Sequence, residues 1–176
     1  MEAQEEEFLA GYSQREQFRT VFGAAFLAGI MLILFAVTPA DLPFKLIRLA
    51  VIIIAVIGWI SSPRTYLLSS NKISIRSIVF RKSISIHDIN NAFIVDSPQD
   101  IEIHGADGLN SKGFFGYIGT IRSSRYGEIK SFTNRLYPSI YLETEKNRYL
   151  ISPDNTSDFF KKYLDYRREN RINSPS

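Results

Sequence analysis

Residues 65–89 read "TYLLSSNKISIRSIVFRKSISIHDI". Ile73 and Ile75 alternate with Lys72, Ser74 and Arg76, and Ile84 and Ile86 repeat the pattern. A two-residue period sets one side of a strand against a core and leaves the other in water. The stretch therefore predicts three short strands, with a turn at Ser70-Asn71 and a second near Arg76-Ser77. Asn91–Val95 supplies a fourth strand, and Ser97-Pro98 breaks it.

Three further strands are expected at Glu128–Thr133, Ser139–Glu143 and Arg148–Ile151, the last two joined by a polar turn at Thr144–Asn147. "SPDNTSDFFKKYLDYRRENR" (152–171) then opens a helix. Asp154 is the expected N-cap, and Asp158 adds negative charge to the first turn. Phe159, Phe160, Tyr163, Leu164 and Arg167 make one apolar stripe. About seven strands and one amphipathic helix predict a small split barrel over residues 64–168, its end covered by the C-terminal helix. Residues 169–176 read as a polar tail.

The order of these segments resembles the bacterial pleckstrin-homology (PH-like) domain family. The resembling segments are Tyr66–Ser69, Lys72–Arg76 and Ser83–Ile89, followed by Arg125–Asn134 and Tyr149–Phe159. The likeness covers about residues 66–165 and is most specific from Leu150 to Phe159. It implies a split β-barrel capped by a C-terminal helix, no catalysis, and a role in interaction or assembly. The family often carries a helical membrane hairpin just ahead of the domain. Where its members tend to have a Gly-Leu-Pro-Gly-like turn, this chain has Gly108-Leu109-Asn110-Ser111.

Upstream of the domain, residues 1–17 are acidic, with Glu2, Glu5, Glu6, Glu7 and Glu16 against Arg15. Two apolar runs follow, 18–37 and 44–60, separated by Thr38-Pro39-Ala40-Asp41-Leu42-Pro43. A membrane-crossing helix needs about 20 apolar residues. Lys45 and Arg48 sit where basic side chains reach headgroups, and Trp59 marks the other end. A cleaved signal peptide fits poorly, because the N-terminus is acidic and a second run follows at once. These features predict a transmembrane hairpin over 18–60. Basic residues in the outer flanks (Arg15, Arg19, Arg64, Lys72, Arg76, Arg81, Lys82) outnumber those of the connection. The expectation is thus an integral protein of the bacterial inner membrane with both termini cytoplasmic.

Six of the ten glycines lie in "GADGLNSKGFFGYIGTIRSSRYG" (105–127). A phosphate-binding loop would need Gly-Lys-Ser/Thr between a strand and a helix, and Ser111-Lys112 runs the other way. The glycines are better explained by bends and bulges. Phe114, Phe115 and Tyr117 could enter the core, dip into a bilayer interface or meet a partner. Arg122, Arg125, Lys130 and Arg135 follow, and as a cluster they would attract lipid phosphates. No recognition helix or RNA-binding aromatic motif accompanies them, so nucleic acid is not expected.

With no cysteine and only His87 and His104, the chain lacks the donors for most transition-metal sites. No nucleophile elbow accompanies either histidine. No cofactor, metal or enzymatic activity is expected. From Ser61 onward 17 Lys/Arg face 12 Asp/Glu, a basic excess suited to an anionic surface. The functional expectation is a membrane-anchored binding or assembly module that engages membrane lipids, a protein partner or itself in a homo-oligomer. The alternatives are an accessory scaffold subunit of a membrane transporter or enzyme complex and, more remotely, a hydrolase using Asp or His.

Overall fold

The first strand of the fold lies in the acidic N-terminal segment, where no strand was expected. In the computed structural model, which describes residues 5–10, 29, 45–47, 49–50, 52–53, 57, 60, 62–107 and 117–173, Glu6–Leu9 forms strand β1. It pairs antiparallel with β2 (Thr65–Leu68), Glu6 opposite Leu68 and Leu9 opposite Thr65. Two strands separated in sequence by residues 10–64 are thus paired. Strands β3 (Lys72–Arg76) and β4 (Arg81–Ser85) complete a four-stranded sheet in the order β1-β2-β3-β4.

The second sheet has six strands: β5 (Ile89–Val95), β6 (Ile103–Asp107), β7 (Tyr117–Ser123), β8 (Gly127–Thr133), β9 (Ser139–Thr144) and β10 (Arg148–Ile151). Their spatial order is β5-β9-β10-β8-β7-β6. A one-turn helix, α1 (Pro98–Ile101), links β5 to β6, and α2 (Thr156–Asn173) follows β10. One core forms where the two sheets and α2 meet, around Tyr66, Ile73, Ile75, Ile140, Ile151, Phe159 and Tyr163. A second lies on the opposite face of the six-stranded sheet, around Ile101, Ile121, Ile129, Tyr141 and Leu150.

Three expectations are corrected. The first is the seven-stranded split barrel. Ten strands are described, and no hydrogen-bonded ladder among them joins the two sheets, so the architecture is a two-sheet sandwich with a helix over it. The additional strands are β1 and the pair β6–β7, whose sequences read as an acidic tail and a glycine-rich bend.

The second is the transmembrane hairpin, and with it the integral inner-membrane placement and the topology. Among the described residues no helix is long and apolar enough to cross a membrane. The 18–37 run lies outside the described residues except for Gly29. The described residues of the 44–60 run are helical. Even an unbroken helix from Lys45 to Ile60 would rise only about 24 Å, against a hydrocarbon core of about 30 Å.

The third concerns the ends of α2. Asn155 is the N-cap, its Oδ1 accepting from the Asp158 amide at 3.1 Å, where Asp154 was expected. The helix also continues through Asn173, into the expected tail.

Candidate functional site

Strands β3 and β4 are joined by a tight turn in which Ser77 N donates to Phe80 O at 3.0 Å. The two residues between are Ile78 and Val79, 59% and 61% exposed. Turns of this length normally take Gly, Asn or Asp. Two aliphatic side chains projecting into water there break the local rule, and such breaks concentrate at functional sites. The adjoining side chain, Phe80, turns inward instead and meets Phe132 with ring centroids 5.6 Å apart.

Basic side chains border the tip. Arg81 and Lys82 follow it and are exposed, as is Arg64 on the neighbouring chain segment, whose amide donates to Arg76 O at 2.8 Å. Arg76 is partly neutralised by Glu5 at 3.9 Å. Ser77 Oγ donates to Ile60 O at 2.7 Å, so the tip touches the end of the helical segment before β2. That segment carries exposed aliphatics of its own at Leu46, Ile47, Leu49, Ile52, Ile53 and Ile57.

The residues expected to bind from sequence do not converge. Phe114 and Phe115 lie outside the described residues. Tyr117 is half-buried on the second core, and its carbonyl accepts from Ser131 Oγ. Register pairs Thr120 with Lys130 and Arg122 with Glu128, which sets Lys130 and Arg122 on the sheet face opposite Tyr117. Arg122 is 3.8 Å from Glu128. Arg125 occupies the β7–β8 turn with its guanidinium over the Tyr126 ring, 5.4 Å from the centroid. Arg135 points inward: it is 8% exposed and donates to Pro138 O, Pro153 O, Asp154 O and Thr156 Oγ1. Within the described part of the glycine-rich stretch, Gly119 and Gly127 hold φ of 130° and 68°, conformations that favour glycine.

Residues 64–167 match the family described as Bacterial PH domain. The chain belongs to this family. Neither curated proteins nor solved structures yield a match. The PH domain spans β2 through most of α2, and β1 is added to its first sheet from outside the matched residues. PH domains are binding scaffolds and not catalysts, and the chain is not an enzyme. As a PH-domain protein it belongs among modules that meet proteins or lipid surfaces.

Side-chain chemistry in the PH domain fits that class. No group of metal-binding side chains forms among the described residues. His87 is exposed beyond the end of β4. Tyr141 is a core residue: burial, with Glu143 adding to it and Arg148 opposing, pushes its hydroxyl up to about 12. A turn was expected near Arg76-Ser77, but "SIVF" continues an apolar β pattern, and the register is what places Ile78 and Val79 at its exposed tip.

Proposed function

We propose that this PH domain is a non-enzymatic module that docks peripherally on an anionic lipid surface through the β3–β4 tip. The observation that carries this reading is the exposed Ile78-Val79 pair bordered by Arg64, Arg81 and Lys82. Apolar side chains at a loop tip gain about 1.5–3 kcal/mol each when fully buried in an apolar phase. Basic side chains near an anionic leaflet add about 1 kcal/mol each. Neither contribution alone gives firm attachment; together they give reversible docking. Exposed aliphatics also occur in the segment that ends at Ile60, whose carbonyl accepts from Ser77 Oγ at the tip. The set expected from sequence, Phe114, Phe115, Tyr117, Arg122, Arg125, Lys130 and Arg135, is a second candidate with less support, because its described members do not share one surface.

Co-sedimentation with vesicles tests this. The chain should bind phosphatidylcholine vesicles doped with phosphatidylserine more tightly than phosphatidylcholine alone. The double variant Ile78→Ser/Val79→Ser should weaken binding to both, with little dependence on salt. Arg81→Glu/Lys82→Glu should lose the preference for the anionic lipid, and that loss should shrink as salt screens exposed charge. Equal binding by wild type and the Ile78→Ser/Val79→Ser variant would remove the tip from the function.

A further inference from the structure

We infer that the free edge of β4 is a docking site for an extended acidic peptide of a protein partner, which would add to the first sheet as a fifth strand. Backbone geometry shows which groups are available. Arg64 N donates to Arg76 O and Ser69 N to Lys72 O, so alternate residues of β3 turn their backbone toward β2. Ser77 N donates to Phe80 O and Ile86 N to Asn71 O, which fixes the complementary set facing β4. In the register Ile75↔Lys82 and Ile73↔Ile84, Lys82 and Ile84 therefore face β3. Arg81, Ser83 and Ser85 direct their N–H and C=O groups off the sheet, where no described strand pairs with them.

The space beside this edge is open. Lys82, Ser83, Ile84 and Ser85 all line one cleft of about 380 Å³, with Tyr149 and the β9–β10 turn on its far side. Successive side chains of a strand point to opposite faces, so four in a row share a cleft only where it runs along the strand's edge. Lys82 Nζ lies over the Tyr149 ring, 5.9 Å from its centroid.

Charge selects the occupant. Arg81 and Lys82, on the edge itself, have no carboxylate within 4.0 Å among the described residues; away from them Asp88 and Glu145 also line the cleft, with His87 and Lys146. The opposite edge of the same sheet already holds an acidic strand: β1 places Glu5 3.7 Å from Lys72 and 3.9 Å from Arg76. A second copy is a poor fit. Antiparallel pairing of two β4 strands about Ser83 would gather both copies' Arg81 and Lys82 along one seam, a known protection against edge-to-edge assembly. An acidic strand meets the same charges favourably and gains main-chain hydrogen bonds.

The test uses the whole 176-residue chain and two fluorescent peptides, one alternating Glu and Val, the other Lys and Val. The acidic peptide should bind and slow hydrogen exchange at the amides of Arg81, Ser83 and Ser85. Ser83→Pro removes a donor that no ladder bond uses, so folding should persist while peptide affinity falls about tenfold or more. Should that variant unfold, the acidic peptide N-methylated along its pairing edge provides the same block on the wild-type chain. Arg81→Glu/Lys82→Glu should reverse the preference toward the basic peptide. Four results overturn the proposal: no binding of the acidic peptide, equal binding by a folded Ser83→Pro variant or by the N-methylated peptide, exchange protection elsewhere, or protection of these amides by self-association without peptide.

Discussion

Arg135 carries its charge into the protein. Its guanidinium gathers the carbonyls of Pro153 and Asp154, both at 2.8 Å, just ahead of α2, where the chain has no ladder to satisfy them. Hydrogen bonds to a charged donor are worth about 1.5–3 kcal/mol each, and the acceptors left behind add a desolvation cost. Arg135→Ala should therefore lower unfolding stability by roughly 2–4 kcal/mol and leave vesicle binding by the folded fraction unchanged. Denaturant unfolding measures the first, and a variant as stable as wild type would contradict the inward geometry. Tyr141 makes a separate residue-scale prediction. Burial raises its folded pKa to about 12, above the ordinary value of 10.0, so folding favours the neutral hydroxyl. That contribution is complete below pH 10, declines above it and is lost as pH rises through about 12. Tyr141→Phe should flatten the alkaline fall in stability and remove one late-ionising tyrosine from an ultraviolet titration. An unchanged titration would mean the late group is another residue.

Among the elements, α2 shows how far a periodic pattern can be trusted. Of its expected stripe, Phe159 and Tyr163 are fully buried, while Phe160 and Leu164 pack against the core only in part. Phe159→Ala should cost about 3–5 kcal/mol and Phe160→Ala distinctly less, and thermal melts of the two variants would rank them. Equal melting points would mean that the helix is rotated from its described face. Periodicity located that helix, and alternation located β3 through β5 and β8 through β10 to within a residue or two, because each pattern is local. The cap was misjudged by one residue because Asp154 and Asn155 are both good cap formers. Strand β1 was not legible, since Glu-Glu-Phe-Leu becomes a strand only by pairing with residues more than fifty positions away. The tip was legible only in part. A turn near Arg76-Ser77 was expected, but Ile78 and Val79 obey strand chemistry, so pattern alone did not mark them as its exposed residues.

At the scale of the whole molecule, residues 11–61 are an excursion in sequence between two paired strands, and the residues flanking it are held side by side. Ala10 N donates to Arg64 O at 2.9 Å, and Asn134 joins both ends. The Asn134 Nδ2 donates to Pro63 O at 2.9 Å and Ala10 O at 3.4 Å, while Ser62 Oγ donates to Asn134 Oδ1 at 3.2 Å. Beyond this neck, β1 is fixed to α2 by the Glu6–Lys162 ion pair and by Phe8 against Phe159, 4.9 Å between ring centroids. These contacts lie within the sandwich and make no demand on what the excursion contains. Replacing residues 11–61 with a six-residue Gly/Ser linker should therefore leave β1 in register and the domain folded. Shortening the loop spans about three halvings of its length, each relieving about 0.6 kcal/mol of closure entropy, so stability should rise by up to about 2 kcal/mol. Amide exchange reads the outcome directly: protection at Phe8 and Ala10, whose backbone faces β2, shows β1 still paired, and its loss would show that the strand depends on the excursion. The shortened chain also separates the two apolar contributions to docking. It retains Ile78 and Val79 and lacks the aliphatics at 46–57, so its remaining affinity for anionic vesicles measures the β3–β4 tip alone. If that affinity vanishes while the fold persists, the apolar contact belongs to the excursion, and the tip only marks where the two meet.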